Sequence, residues 1–193
     1  MGGLLMDNND ILIRLRYALD LKNKDMVEIF KLGGVELTYE EVRKILIKSK
    51  NIYHYGVYDS GETDEADEAD EAEEMEENLK CKNSMLESFL NGFIIFKRGK
   101  QDPKPGQPEK PFLSIKDNAN PNNVVLKKMK IALSLTSEDI LDIFEAAGII
   151  VTKGELSALF RKEGHKHYKE CGDKYARNFL KGLTLKSRGQ ELV

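Results

Sequence analysis

The densest run of chemically versatile side chains is Arg161-Lys-Glu-Gly-His165-Lys-His167-Tyr168-Lys-Glu-Cys171-Gly-Asp173. His165, His167, Cys171 and Asp173 are all residue types that ligate zinc or another transition metal. A structural zinc site takes paired ligands such as C-x-x-C with H-x-x-x-H, and this spacing does not supply them, so a solvated loop beside a packed thiol is the plainer expectation. A second chemistry attaches to Cys171 and His167: a thiolate with an imidazole base, made cationic by Lys166 and Lys169 near a helix start at Asp173. No oxyanion device, third group or substrate pocket can be read beside it. The phosphate loops GxGxxG and GxxxxGK[ST] are absent from the sequence, which argues against a nucleotide-cofactor enzyme. The expectation is a chain with no catalytic residue, no cofactor and no metal, His165, His167 and Cys171 being its only weak metal candidates.

Basic residues give the more substantial case. Lys127, Lys128 and Lys130 fall close together, and Arg161, Lys162 and Lys166 follow in the run above. With Lys97, Arg98 and Arg188 they are the candidate contacts to nucleic acid or to a partner, although most lysines of helical domains are simply solvated. The segments 24–49 and 138–163 each read as helix, glycine turn, helix, a pattern open to a helix-turn-helix interpretation. The second helix of each pair offers Tyr39, Arg43, Lys44 and Lys48, or Lys153, Ser157, Arg161 and Lys162.

Charge is unevenly distributed. The chain has 193 residues, 33 acidic and 30 basic, for a formal charge of −3. Eleven carboxylates lie between Glu62 and Glu77 without one basic residue, leaving 22 acids against 30 bases, or +8, elsewhere. Like charges repel in the repeated Asp-Glu-Ala triplets, so a disordered insert is expected at about 59–78. A sharper alternative has it fold over the basic body in competition with a polyanion. All five prolines lie at 101–122, which reads as a linker. Two cysteines cannot form a disulfide framework, and no window approaches the roughly 18 apolar residues of a membrane span. A cytoplasmic protein without a membrane partner is the expectation.

The two halves are copies. At an offset of 114, Leu12 meets Leu126, Ala18 meets Ala132, Phe30 meets Phe144, Gly34 meets Gly148 and Glu41 meets Glu155. Beyond the acidic insert the offset becomes 90, and Cys81 meets Cys171, Phe89-Leu90 meets Phe179-Leu180, and Arg98-Gly99 meets Arg188-Gly189. Gapless matches of this length mark an internal duplication. Each copy predicts four helices. Apolar residues recur at 11, 12, 15, 18 and 19 and again at 125, 126, 129, 132 and 133. Thr38…Glu41 and Thr152…Glu155 are capping boxes that open the third helices. The fourth helices contain Gly92 and Gly182, where a close helix contact is expected. The fold class is therefore all-α: two tandem homologous four-helix units, at 7–100 and 123–190, packed about a pseudo-twofold.

The run Asn122-Asn-Val-Val-Leu126-Lys-Lys-Met-Lys-Ile-Ala132, with Glu170-Cys171-Gly-Asp173 and Phe179-Leu-Lys-Gly-Leu183, resembles the YehS-like family of bacterial proteins. Asn9-Asp-Ile-Leu12 with Arg16-Tyr17, and Ser88-Phe-Leu-Asn-Gly92 with Lys97-Arg-Gly-Lys100, extend the likeness over nearly the whole chain except the acidic insert and part of the linker. The resemblance implies a short cytoplasmic protein built from the same duplicated domain, of uncharacterised function, with no catalytic residue to transfer. The insert departs from the family pattern. The functional expectation is a non-enzymatic macromolecular-interaction module with a protein partner. The alternative is a DNA- or RNA-binding regulator using the helix-turn-helix-like units and the basic helices of the second copy. Pairing within the chain or into a homo-oligomer stays open.

Overall fold

A computed structural model describes residues 6–47, 78–100, 113–116 and 119–189. Eight helices are found among them and no strand: α1 (Asn8–Ala18), α2 (Asn23–Leu32), α3 (Tyr39–Ile45), α4 (Asn83–Arg98), α5 (Asn122–Ala132), α6 (Ser137–Ala146), α7 (Lys153–Phe160) and α8 (Asp173–Arg188). The helix starts repeat at the two sequence offsets, from Asn8 to Asn122 and from Asn83 to Asp173. The predicted acidic insert lies outside the described residues except for Asn78, which is built into the fold: its side-chain amide donates to the Ile47 carbonyl at 2.6 Å. Most of the proline-rich linker also lies outside them.

Local chemistry sets the helix boundaries. Thr38 and Thr152 each donate a backbone N–H to the glutamate three residues on, at 2.8 and 3.0 Å, while the glutamate amide returns to the threonine hydroxyl at 3.2 Å in both. Those bonds, the backbone one foremost, hold Glu41 and Glu155 below the usual carboxylate range. Thr136 and Asp139 form a third box, at 2.7 and 3.1 Å, with the shorter aspartate in place of glutamate. Gly34 and Gly148 have φ of +87° and +84° just past α2 and α6, the left-handed position that closes a helix with a glycine.

The glycines inside α4 and α8 are there for close approach. A Cβ at Gly92 would overlap the Ile29 carbonyl oxygen of α2, and one at Gly182 would overlap the equivalent Ile143 carbonyl of α6. Thus α2 lies on α4 and α6 lies on α8.

Between the copies the packing is crosswise: α1 lies chiefly on α8, and α5 on α4. Each first helix packs on the other copy's last helix, the reciprocal exchange that a pseudo-twofold requires. Hydrogen bonds follow the same exchange. Arg98 at the end of α4 donates to the Ile131 carbonyl of α5 at 3.2 Å, and Arg188 at the end of α8 donates to the Tyr17 carbonyl of α1 at 2.9 Å. The buried apolar residues form one continuous cluster, from Ile11, Phe30 and Phe89 to Phe144 and Phe179. The repeats follow one another along the chain and share one interior.

Candidate nucleic-acid or partner interface

The run from Arg161 to Gly172 is a loop leading into α8 and pinned at its base by asparagines, with Asn120 and Asn122 donating to the Cys171 carbonyl at 3.3 and 3.0 Å. Asn123, buried in the first turn of α5, donates to the carbonyls of Leu159 at 2.8 Å and Lys169 at 3.0 Å. Its side-chain oxygen accepts the Cys171 N–H at 2.8 Å and the Tyr168 hydroxyl at 3.1 Å. Asn9 repeats the arrangement, donating to the carbonyls of Ile45 and Leu79, both at 2.8 Å, and accepting the Cys81 N–H at 2.8 Å. These asparagines carry the loop geometry, and residue-type reasoning missed them. Their signal was an identical polar residue at equivalent places within an apolar stripe.

The cysteines are interior. Burial, with Asp173 and Glu170 nearby, pushes the Cys171 thiol up to about 12, and burial with Asp7 does the same to Cys81. A thiol so placed is almost wholly protonated at neutral pH and is a poor nucleophile. Iodoacetamide at pH 8 is therefore expected to leave both thiols of the native chain unmodified and to label both in denaturant. Fast labelling of Cys171 in the native chain would contradict the burial. His165 and His167 lie on the exposed part of the loop, their ring centroids 5.8 Å apart, and His165 faces the Arg161 guanidinium at 3.3 Å. Cys171 is not gathered with them, and no group of three or more metal-ligating side chains occurs among the described residues.

The basic candidates divide. Lys128 donates to Asn91 and pairs at 3.3 Å with Glu87, whose side chain is fully buried. Glu87 also accepts the Ser114 and Ile115 amides at 2.7 and 2.8 Å and the Ser114 hydroxyl at 2.8 Å, so Lys128 belongs to a network that docks the segment before α5. Arg98 and Arg188 hold the copies together as described, with Arg188 also stacked 3.9 Å over the Tyr17 ring. Lys97 lies over Phe93. Lys162 and Lys166 are exposed on the loop.

Lys130 and Arg161, by contrast, converge. They line a groove of about 570 Å³ between α5, α6 and α7, together with Ser137, Glu138, Lys153, Ser157 and Phe160. The Lys130 ammonium sits 5.7 Å from the centre of the Phe160 ring and donates to the Leu135 carbonyl at 3.0 Å. Lys127 backs the groove by donating to the Arg161 carbonyl at 3.1 Å. The groove cations are Lys130, Lys153 and Arg161 against Glu138 alone, which pairs with Lys153 at 3.2 Å while both side chains stay largely exposed. Such a pair is weak in water and readily exchanged for another anion. At the corresponding place in the first copy, Arg16 bonds Asn23 and Asn23 bonds the Tyr39 hydroxyl, so polar groups there satisfy one another.

No helix of the described residues is long and apolar enough to cross a membrane. The chain is 36 % identical over 182 residues to the "Uncharacterized protein YehS" of Escherichia coli (strain K12), covering 94 % of this chain and 96 % of that protein. No solved structure matches. The family described as "Protein of unknown function (DUF1456)" matches residues 8–99 and 122–189, one match for each copy of the duplication. The chain belongs to this family of YehS-like proteins.

Proposed function

We propose that this chain is a cytoplasmic, non-enzymatic interaction protein that binds another macromolecule through the groove between α5, α6 and α7. The observation that carries the reading is the division of the basic residues. Lys128, Arg98 and Arg188 tie one copy or segment to another, whereas Lys130, Lys153 and Arg161, with contacts to Leu135, Glu138 and His165 nearby, line one recess with an aromatic ring and two hydroxyls. Two free, buried thiols suit a reducing compartment, and neither is a ready nucleophile at neutral pH.

A photo-crosslinking residue at Ser157, in the groove, tests this in living cells against the same residue at Glu28, on the exposed face of α2. Adducts to a macromolecule are expected from Ser157, absent from Glu28, and lost when Arg161→Glu is added. Equal labelling from both positions, or none from Ser157, would overturn the proposal. The second reading, a nucleic-acid-binding regulator, is favoured by the groove's excess of cations beside Phe160.

A further inference from the structure

We infer that the partner taken by this groove is a single-stranded nucleic acid, its phosphates held by Lys130, Lys153 and Arg161 and one base stacked against Phe160. This rests on the reading of the groove as the contact surface and adds the chemistry of what enters it. Proteins that hold single strands combine a cationic track for the backbone with aromatic faces for the bases, because every base has a π-face and every linkage a charge. Both parts occur here side by side: an ammonium 5.7 Å from a ring centre, a guanidinium on the next residue, and a third cation, Lys153, at the first position of α7.

The volume, about 570 Å³, lies within the roughly 300–1,000 Å³ of small-ligand clefts. That accommodates a nucleotide unit. The cations line a recess rather than a protruding helix, which disfavours the major groove of a duplex, where a protruding helix or β-ribbon must enter. Ser137 and Ser157 add hydroxyls that can donate to phosphate or accept from a base edge. The charge extends beyond the recess: the adjoining exposed loop carries Lys162 and Lys166 with only Glu163 among the acids between them. An acidic peptide would satisfy the cations but would make no use of the exposed part of the Phe160 ring, which packs on the core with its other side, and that difference selects nucleic acid.

The experiment is fluorescence anisotropy of the full chain with labelled oligouridylate, labelled oligothymidylate, the matching duplex and a polyglutamate peptide. Single strands are expected to bind. With three phosphate contacts, their affinity should fall about 20-fold between about 50 and 200 mM salt. Lys153→Glu, at a largely exposed side chain, should weaken binding and reduce the magnitude of the salt slope by about 0.7. Phe160→Leu keeps an apolar side chain at a half-buried site and should weaken binding roughly tenfold through lost stacking. Folding of each variant is checked by thermal melting. No binding of either single strand at about 50 mM salt, or binding indifferent to both substitutions, would overturn the inference, as would preference for the duplex. Polyglutamate bound in place of the single strands, and lost in Lys153→Glu, would overturn it in favour of an acidic protein partner while leaving the groove as the contact surface.

Discussion

Asn9→Ala and Asn123→Ala are each expected to destabilise the folded chain by about 3–5 kcal/mol, lowering the melting temperature by roughly 10 °C or more. Each asparagine satisfies two carbonyls and one amide, joining the end of the third helix of its copy to the segment before the fourth. Alanine would leave those groups in the interior without partners, at about 1–3 kcal/mol for a buried unsatisfied group, with incomplete additivity. Asn→Asp is expected to be no better, because a carboxylate would face two carbonyl oxygens and has no N–H to donate. Urea unfolding followed by circular dichroism measures both substitutions. A loss below about 1 kcal/mol at either position would mean that water or a rearranged loop replaces the network. Asn123→Ala should also loosen the loop from Arg161 to Lys169, since that residue ties both of its ends.

Much of the fold was legible because its determinants are local. The 3.6-residue stripes, the threonine–glutamate boxes and the glycines past α2 and α6 act within a few residues of where they stand, and all reappear in the structure. Gly92 and Gly182 were legible for a different reason: a glycine in the middle of a long apolar helix is a conspicuous local sacrifice, and the close approach of Ile29 and Ile143 explains it.

The candidate site was legible only in part. Residue types alone do not reveal which cation is already engaged. Lys128 looks like its neighbours Lys127 and Lys130, yet helical geometry turns it toward Glu87 on another helix and leaves Lys130 beside Phe160. Glu87 itself stood unremarked inside an apolar helix, and its partners Ser114 and Ile115 lie in a segment read only as linker. The run from His165 to Asp173 suggested metal or thiol chemistry because its residues are close in sequence, whereas the fold places the thiol in the interior and the imidazoles in solvent.

Least legible was the crosswise packing, because duplicated apolar stripes fit a helix of their own copy as well as one of the other. A shared interior means that separating the copies would strip the buried faces of α1 and α5 from the helices on which they lie, exposing Ile11, Leu12 and Leu15 on one side and Val125, Leu126 and Met129 on the other. Neither copy is then expected to hold its fold alone. A specific protease site placed at Gly106 allows the folded chain to be cut between α4 and the docked segment at Ser114. Gel filtration after cleavage tests the crosswise arrangement directly. The two fragments are predicted to elute together as one folded species and to part only in denaturant; two compact fragments eluting separately would contradict it.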